Sequence, residues 1–488
     1  MQFAEDLGRG HLQLGPAGVQ QTDNGLECVV HAVRNAISPA MPVGTTERTA
    51  MHHASCTPQP LRLVANRGLH WAGHQPLANR RNLLQHMELS FAMRLLFVTP
   101  CPPDRRAPHG GGAYLGQVAH ALSQMAEVGL VALQRPGEHA GDVAWRFVAA
   151  VPMPPRPTGP RRLVDSVRRL WQWRNTPLVA AKHCHPGVPA AIARALTAFR
   201  PDVCFVEMAQ MAQYLPALAS VPTVLTDHEA GCPANTRTGL GPLGDARDRR
   251  LWCRHVARFY PLATGLQAVT AADAAALSAQ LGRAVRVRQL AVDVPTTAVD
   301  VAAAPPRALF LGNYDHAPNP EAARRIVRDV LPRLRAAAPE CELWLAGPHA
   351  ERIADLAGAP GVRVLGYVPD LRQLLASVRL LLAPVWSGGG FRMKALTALA
   401  HGVPVVSNEL GARGGPARAE DGCARAESPA ELAAAAHRWL LDAGGAARAG
   451  TAARAWVRDN AAPEAVARDQ LQYAAGLAAA RAATAATT

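Results

Sequence analysis

The chain has 488 residues and a formal net charge of +14. That length suffices for two or three domains, and 49% hydrophobic with 18% charged residues excludes a wholly disordered or fibrous chain. The positive charge would suit nucleic acid, an anionic membrane or small anions. A generally arginine-rich composition explains the net charge slightly better than a specific partner does, so the charge is only weak support for anionic partners.

The nine cysteines are scattered and form no Cys-x-x-Cys pair, which predicts reduced thiols rather than a disulfide or zinc framework. No apolar segment typical of a signal peptide follows the first charged residues, and no stretch is apolar enough to span a bilayer. We therefore expect a cytoplasmic protein, and peripheral contact with the inner face of the membrane stays open as an alternative.

Residues 1–92 show no sustained hydrophobic period, so we interpret them as a disordered extension or as a misannotated start upstream of Met93. From Met93 onward, apolar runs alternate with helical patterns, which is typical of a parallel, doubly wound sheet. The first set of predicted strands defines an N-terminal Rossmann-like domain over residues 93–300. These strands are residues 95–98, 129–133, 203–206, 223–225 and 266–270.

A proline-rich linker over residues 294–306 separates this set from a second one. We predict a long helix from residue 321 to about residue 338 and a C-terminal Rossmann-like domain over residues 301–470. An Ala-rich tail, helical and then fraying, covers residues 471–488. The predicted fold class is α/β, with two tandem Rossmann-like domains facing a cleft. The strands of the second set are residues 308–311, 342–346, 362–365, 380–383 and 404–407.

A glycine-rich loop follows the predicted strand 380–383 and opens into a helix. Glycines let the backbone approach a ligand, and free amides at a helix start favour a phosphate group. Two cations beside that start add full positive charges. We therefore predict an anion site formed by Gly388, Gly389, Gly390, Phe391, Arg392 and Lys394.

Two further loops are candidates. Gly110, Gly111 and Gly112 would bring amides to a phosphate or sugar, although a plain turn explains them equally well. His228 follows the predicted strand 223–225, where a structural role is the more common one for a lone histidine. We discount the G-x-G-x-x-G match at residues 239–244, because it contains a proline and has no strand immediately before it.

The arginine-rich segment 161–174 has an apolar face over residues 163–171. This pattern is typical of an interfacial helix on an anionic membrane. A helix that packs between domains, with solvated arginines, is the slightly favoured alternative.

Residues 388–406 read G-G-G-F-R-M-K-A-L-T-A-L-A-H-G-V-P-V-V. They resemble the donor-site signature of the family 4 retaining glycosyltransferases of GT-B fold. The likeness is greatest to the bacterial exopolysaccharide-type sugar transferases with a G-G-G-x-R-x-K motif. Residues 201–207, 210–216, 227–229, 292–293 and 310–319 also resemble family segments, in the same order. The resemblance spans Met93 to about residue 470.

The resemblance implies that the second domain binds a nucleoside-diphosphate sugar and the first a glycan or lipid-linked acceptor. It implies transfer with retention, no required metal or other cofactor, and no nucleic-acid partner. His228, near the transferred sugar, would act with Arg392 and Lys394 as the catalytic residues. Gly312 and Asn313 would join the glycines and Thr397 around the donor.

Four positions depart from the pattern of the wider family, and the change at Gly389 is usual for the G-G-G-x-R-x-K subgroup. The family's Glu-x7-Glu pair is replaced by Gly389 and Thr397, and its Arg and Lys after the first donor-domain strand by Asn313 and Asn319. A threonine hydroxyl accepts hydrogen bonds from ribose less strongly than a carboxylate, so donor affinity should fall unless Glu409 or a backbone group substitutes. An active transferase and a degenerate GT-B scaffold in polysaccharide assembly both stay open. A sugar-nucleotide epimerase is a weaker third reading, because no acid–base carboxylates can be placed in the cleft.

Overall fold

The computed structural model describes residues 93–107, 110–154, 171–228, 238, 241–387 and 393–487. Its framework is two parallel sheets, of seven and six strands. The first contains β1 (Arg94–Thr99), β2 (Glu127–Gln134), β3 (Trp145–Pro152), β4 (Val203–Glu207), β5 (Thr223–Asp227), β6 (Gly265–Ala268) and β7 (Arg286–Val287). The second contains β8 (Arg307–Leu311), β9 (Glu342–Ala346), β10 (Val362–Gly366), β11 (Leu380–Leu382), β12 (Val405–Ser407) and β13 (Cys423–Arg425).

Both sheets have the same strand order. The first runs β3-β2-β1-β4-β5-β6-β7 and the second β10-β9-β8-β11-β12-β13. In each, the direction of winding reverses beside the first strand, which is the Rossmann-type arrangement. The predicted α/β fold with two tandem Rossmann-like units is confirmed.

Helices cover the sheets. In the first half they are α1 (Gly110–Ser123), α2 (Leu178–Lys182), α3 (Gly187–Ala198), α4 (Gly241–Phe259) and α5 (Ala271–Leu281), with 3₁₀ helices at Ala209–Leu218 and Tyr260–Leu262. Then follow α6 (Pro318–Arg325), α7 (Leu331–Ala337), α8 (Leu371–Ala376), α9 (Met393–His401), α10 (Pro429–Leu441), α11 (Ala443–Asn460) and α12 (Pro463–Thr487), with 3₁₀ helices at Ala350–Leu356 and Ala419–Asp421. None of these helices combines the length and the apolarity needed to cross a bilayer.

The central strands are buried on both faces, so their sequences are continuous apolar runs, as parallel sheets require. In the first half one apolar cluster lies on each face of the sheet, and the second half has a single large cluster. The predicted strands that belong to these runs are all present, with bounds shifted by a few residues. The edge strand Trp145–Pro152 and the short strands β7 and β13 were not predicted.

The glycines at 110–112 do not form a loop before a helix, as predicted, but the first turn of α1 itself. Glycine has a low helix propensity, which is why the sequence favoured a loop. A Cβ on Gly111 would lie 2.7 Å from Met208 Cε, so α1 approaches the end of β4 closely, although the end of that methionine side chain could shift to relieve the contact.

The helix predicted over residues 321–338 begins three residues earlier and is interrupted by a π-helical segment, Ile326–Val330. Pro332, at the start of α7, has no N–H to donate and would clash with the carbonyl four residues before it. The amide of Leu331 instead bonds to the carbonyl of Ile326, five residues back, which accommodates the proline.

The C-terminal helix α12 returns to the first half of the chain. It packs against α1, and Gln470 Oε1 accepts a buried hydrogen bond of 3.0 Å from Gln267 Nε2 in β6. Leu471 and Ala474 belong to the apolar cluster of the first sheet. Where the sequence predicted an Ala-rich tail from residue 471, the structure has a helix whose small side chains permit close packing.

Polar contacts join the two halves. Val292 N donates to Ala461 O at 2.9 Å, and Gln289 Nε2 donates to Gly414 O at 2.8 Å. Met393, the first residue of α9, packs against the apolar clusters of both halves. Residues 294–306, the predicted linker, contain neither helix nor strand. The start of α9 therefore lies where the two halves meet.

Some predictions fall outside the described residues, namely those on residues 1–92 and on most of the segment 161–174. The expectation of reduced thiols is wrong for Cys253. This residue of α4 is disulfide-bonded, and its partner is not among the described cysteines, because Cys101, Cys184, Cys204, Cys341 and Cys423 are free.

Candidate functional site

A cavity of about 470 Å³ opens at the carboxyl ends of the strands of the second sheet. This is the edge where doubly wound sheets bind ligands, because the loops there lead into helix starts. Loops after β8, β9 and β10 and the first turns of α9 form its walls. The lining residues are Leu311, Gly312, Asn313, Asn319, Ala346, Gly347, Pro348, Tyr367, Val368, Pro369, Leu371, Leu374, Lys394 and Thr397.

Two glycines bring the loops after β8 and β9 together. Gly347 has φ of +139°, and a Cβ there would lie 1.8 Å from Gly312 O. A Cβ on Gly312 would in turn lie 2.9 Å from Asn319 Cβ. Only glycine allows this backbone spacing, so these residues fix the cavity floor.

Lys394 is the only charged side chain among the described residues that line the cavity. Its Nζ donates to Asn319 Oδ1 at 3.2 Å and lies 4.1 Å from the centroid of the Phe310 ring. These contacts hold the ammonium of α9 against β8 and the first turn of α6. A positive charge on the first turn of a helix, at this edge of the sheet, is suited to an anionic ligand.

The predicted anion site is thus only partly described. Gly388, Gly389, Gly390, Phe391 and Arg392 lie outside the described residues, so their roles remain predictions. Of the predicted donor residues, the structure brings Gly312, Asn313, Lys394 and Thr397 together around one cavity.

Thr397 lines the cavity one turn along α9 from Lys394, and its carbonyl accepts a hydrogen bond of 2.8 Å from His401 Nδ1. Glu409 is not among the lining residues. Its carboxylate instead accepts a hydrogen bond of 2.5 Å from Arg425 Nη1. Glu409 is thus outside the described lining of the cavity, where no acidic side chain is found, and its substitution for the family carboxylate stays a hypothesis.

A second polar cluster lies at the carboxyl ends of strands in the first sheet. Glu207 ends β4, His228 follows β5 and Arg288 follows β7. Arg288 Nη1 donates to Glu207 Oε1 at 2.5 Å, and His228 Nε2 lies 3.3 Å from Glu207 Oε2. Glu207 and Arg288 are 0% and 1% exposed, whereas His228 is 18% exposed. The cluster is a buried ion pair that carries a partly accessible imidazole.

The carboxylate of Glu207 is held in its charged form. Burial alone would raise its pKa, but the charge of Arg288 and the hydrogen bond from His228 outweigh burial and lower the pKa. For Arg288, burial alone would lower the pKa, and the charge of Glu207 raises it overall. Because Glu207 only accepts, hydrogen bonding assigns a proton to His228 Nε2. His228 Nδ1 makes no hydrogen bond within the described part of the chain.

Tyr114 of α1 completes the cluster. Its ring meets the His228 ring edge-on at 5.9 Å, and the Arg288 guanidinium lies 5.3 Å from its centroid. Its buried hydroxyl has no hydrogen-bond partner of normal geometry among the described residues. Burial raises its pKa, and the nearby charge of Arg288 lowers the pKa by less. The sequence indicated His228 but not Arg288 or Tyr114. No local pattern links Arg288, which follows a strand of two residues, or Tyr114 of α1 to the end of β4.

Gly111 and Gly112 lie in the turn of α1 that precedes Tyr114. Their predicted contact with a phosphate or sugar remains a prediction, as does that of Gly110. Within the described ranges, no group of three or more His, Cys, Asp or Glu side chains is placed to hold a metal ion.

Residues 305–442, which include the walls of the cavity, match the protein family described as Glycosyl transferases group 1. The comparison with curated proteins gives no match. Among solved structures, sucrose-phosphate synthase from Thermosynechococcus elongatus is similar, with a TM-score of 0.55 and 17% identity over 79% of this chain and 100% of that one.

HepE of Anabaena, solved in complex with UDP, is similar over 79% of this chain and 100% of its own, with 17% identity and a TM-score of 0.50. The N-terminal domain of trehalose-6-phosphate phosphatase from Candida albicans has 12% identity and a TM-score of 0.53, over 79% of this chain and 98% of that one. At such identities the likeness shows the fold alone. The chain therefore has the GT-B fold, and residues 305–442 of its second half are similar to glycosyl transferases group 1.

Proposed function

We propose that this protein moves a sugar from a nucleoside-diphosphate sugar to a glycan or lipid-linked acceptor, with retention of anomeric configuration. The proposal places the reaction in bacterial exopolysaccharide or cell-surface glycan synthesis, without a metal or other cofactor. The donor would occupy the cavity of the second half and the acceptor the first half. The family match of residues 305–442 supports the transferase class.

The observation that carries this proposal is the position of Lys394. Its ammonium lines a cavity at the carboxyl edge of the sheet, on the first turn of α9 and beside Met393, which contacts both halves. Departure of a nucleoside diphosphate builds negative charge on its phosphates. A fixed cation at that position stabilises this charge in the transition state. Arg392 would add a second cation.

His228 would contact the transferred sugar through Nδ1, because Nε2 already faces Glu207. In this arrangement Glu207 orients the imidazole, and Arg288 keeps Glu207 charged. His228 is then a catalytic residue, whereas Glu207 and Arg288 are positioning residues.

The chain contains two lysines, Lys182 and Lys394, so replacing Lys182 is a matched control for replacing Lys394. We expect Lys394→Ala to weaken UDP or GDP binding by about tenfold to a hundredfold in calorimetric titration, as for a lost hydrogen bond to a charged group. Lys182→Ala, in the exposed end of α2, should leave binding unchanged. Equal affinities for the two variants would refute the assigned site.

A catalytically degenerate GT-B scaffold is the second candidate function. The observation that favours it is Thr397, because no carboxylate among the described lining residues can accept from a ribose diol. If Thr397 faces the ribose, Thr397→Glu should tighten nucleotide binding by about fivefold. No binding of any nucleoside diphosphate at millimolar concentration, by the wild type or by this variant, would favour the scaffold.

A further inference from the structure

The outer face of α4 carries a row of arginines, which we call the basic stripe: Arg247, Arg250, Arg254 and Arg258. Their spacing of three, four and four residues places all four on one side of the helix, and all are exposed. The helix has 19 residues, so the stripe runs along a rod about 28 Å long. The opposite face packs inward through residues such as Leu251, Trp252 and Val256.

The acidic residues of α4 are turned away from this stripe. Asp248 is buried and accepts hydrogen bonds of 2.8 Å from both Trp173 Nε1 and Leu178 N. Asp245 accepts from the backbone N and the hydroxyl of Thr238 at 2.6 and 2.7 Å. These carboxylates fix neighbouring segments to α4, and both lie off the side of the helix that carries the stripe.

The stripe is unfavourable for an isolated protein. Like charges three and four residues apart on a helix repel, and three such pairs follow one another here. None of the four arginines forms an ion pair within the described residues. Arg247 and Arg258 only approach the rings of Trp173 and Phe259, at 4.9 and 5.0 Å. An anionic partner would remove this repulsion.

Large apolar side chains flank the stripe. Leu243, four residues before Arg247, is 88% exposed, and Leu262, just beyond the end of α4, is 53% exposed. Trp171 is 69% exposed, and it lies two residues before Trp173, which is tied to α4 through Asp248. A row of arginines with leucine and tryptophan at its margins fits a surface that is anionic outside and apolar just beneath.

We propose that the basic stripe and its apolar margins bind the surface of an anionic phospholipid bilayer. Arginines would contact the lipid phosphates, and Leu243 and Trp171 would enter the boundary between headgroups and acyl chains. A nucleic acid would satisfy the arginines but would gain nothing from a nearly fully exposed leucine. The proposal does not depend on transferase activity, although it would bring the first half close to a lipid-linked acceptor.

The test is co-sedimentation of the full chain with vesicles of phosphatidylcholine, with and without phosphatidylglycerol. We expect binding only to the anionic vesicles. The variant Arg250→Gln/Arg254→Gln removes two arginines of the stripe. Because each charge contributes about fivefold to membrane partitioning, the partition coefficient should fall by about 25-fold. The matched control is Arg438→Gln/Arg458→Gln, which removes two exposed charges elsewhere and should leave partitioning unchanged.

A second variant separates insertion from simple charge attraction. Leu243→Gln should lower partitioning by about tenfold even in salt that screens the arginines. Equal losses for the stripe and control pairs would overturn the proposal, because the attraction would then follow net charge alone. Absence of vesicle binding together with stripe-dependent binding of a double-stranded DNA fragment would also overturn it, in favour of a nucleic-acid surface.

Discussion

Replacing Glu207 by glutamine should destabilise the protein severely, although the two side chains have the same shape. The substitution removes the counter-charge of Arg288, which is 1% exposed and donates a hydrogen bond of 2.5 Å to Glu207. Water cannot reach the guanidinium to compensate. Loss of one partner from a buried ion pair costs about 3–5 kcal/mol. That is a large fraction of the stability of an ordinary domain, about 5–15 kcal/mol.

An exposed ion pair between the same residue types, Glu342 and Arg307, serves as the control for the buried pair. Glu342 of β9 accepts a hydrogen bond of 2.8 Å from Arg307 Nε of the neighbouring strand β8, but Glu342 is 45% exposed. For Glu342→Gln we expect the free energy of unfolding to fall by at most about 1 kcal/mol, because water can solvate the Arg307 guanidinium that loses its partner. Equilibrium unfolding in urea, followed by tryptophan fluorescence, measures both variants under one set of conditions.

Adding Arg288→Met to Glu207→Gln should recover much of the loss, because it removes the orphaned charge. The titration of UDP into each folded variant reports separately on the cavity of the second half and should not change. A loss for Glu207→Gln no larger than that for Glu342→Gln would refute the reasoning, as would a double variant less stable than the single one.

Three further predictions follow from the same structure. The lowered pKa of Glu207 means that its contribution to stability is complete above its unfolded pKa of about 4.3 and is lost as the pH falls towards the folded value. The stability gap between wild type and Glu207→Gln should therefore narrow in urea unfolding at pH 4 relative to pH 7, and a constant gap would contradict the assignment. Tyr114→Phe removes a buried hydroxyl without a described partner, so thermal unfolding should show unchanged or slightly higher stability, and a clear loss would contradict this. Gly347→Ala, whose Cβ would meet Gly312 O, should destabilise by about 1–3 kcal/mol and weaken nucleotide binding, whereas Gly358→Ala, with open space around it, should do neither.

The fold was largely predictable because parallel strands buried on both faces read as unbroken apolar runs. Residues 203–206 and 380–383 are such runs, and each is a central strand. The edge strand Trp145–Pro152 was missed because its burial alternates and four of its first five residues remain accessible to water. The packing of α12 against the first half could not be predicted either, because an alanine-rich helix has no distinct apolar face in its sequence.

Of the candidate site, only the parts formed by residues close together in the sequence could be predicted. A glycine-rich turn before a helix with Lys394 indicates an anion site by local chemistry alone. The ion pair beneath His228 joins residues 81 positions apart, and Arg288 follows a strand of only two residues. Such a partnership depends on the order of strands in the sheet, which no local pattern in one sequence specifies.

The central claim is that the cavity beside α9 binds a nucleoside diphosphate at Lys394. It can be tested most directly because the chain contains two lysines. Reductive methylation with a ¹³C label would mark only Lys182, Lys394 and the amino terminus, because the chain contains no other primary amines. Titration with UDP or GDP should then shift the Lys394 methyl resonance, assigned through Lys394→Arg, and leave that of Lys182 in place. If saturating nucleotide moved neither resonance, or moved Lys182 instead, the cavity beside α9 would not be the diphosphate site.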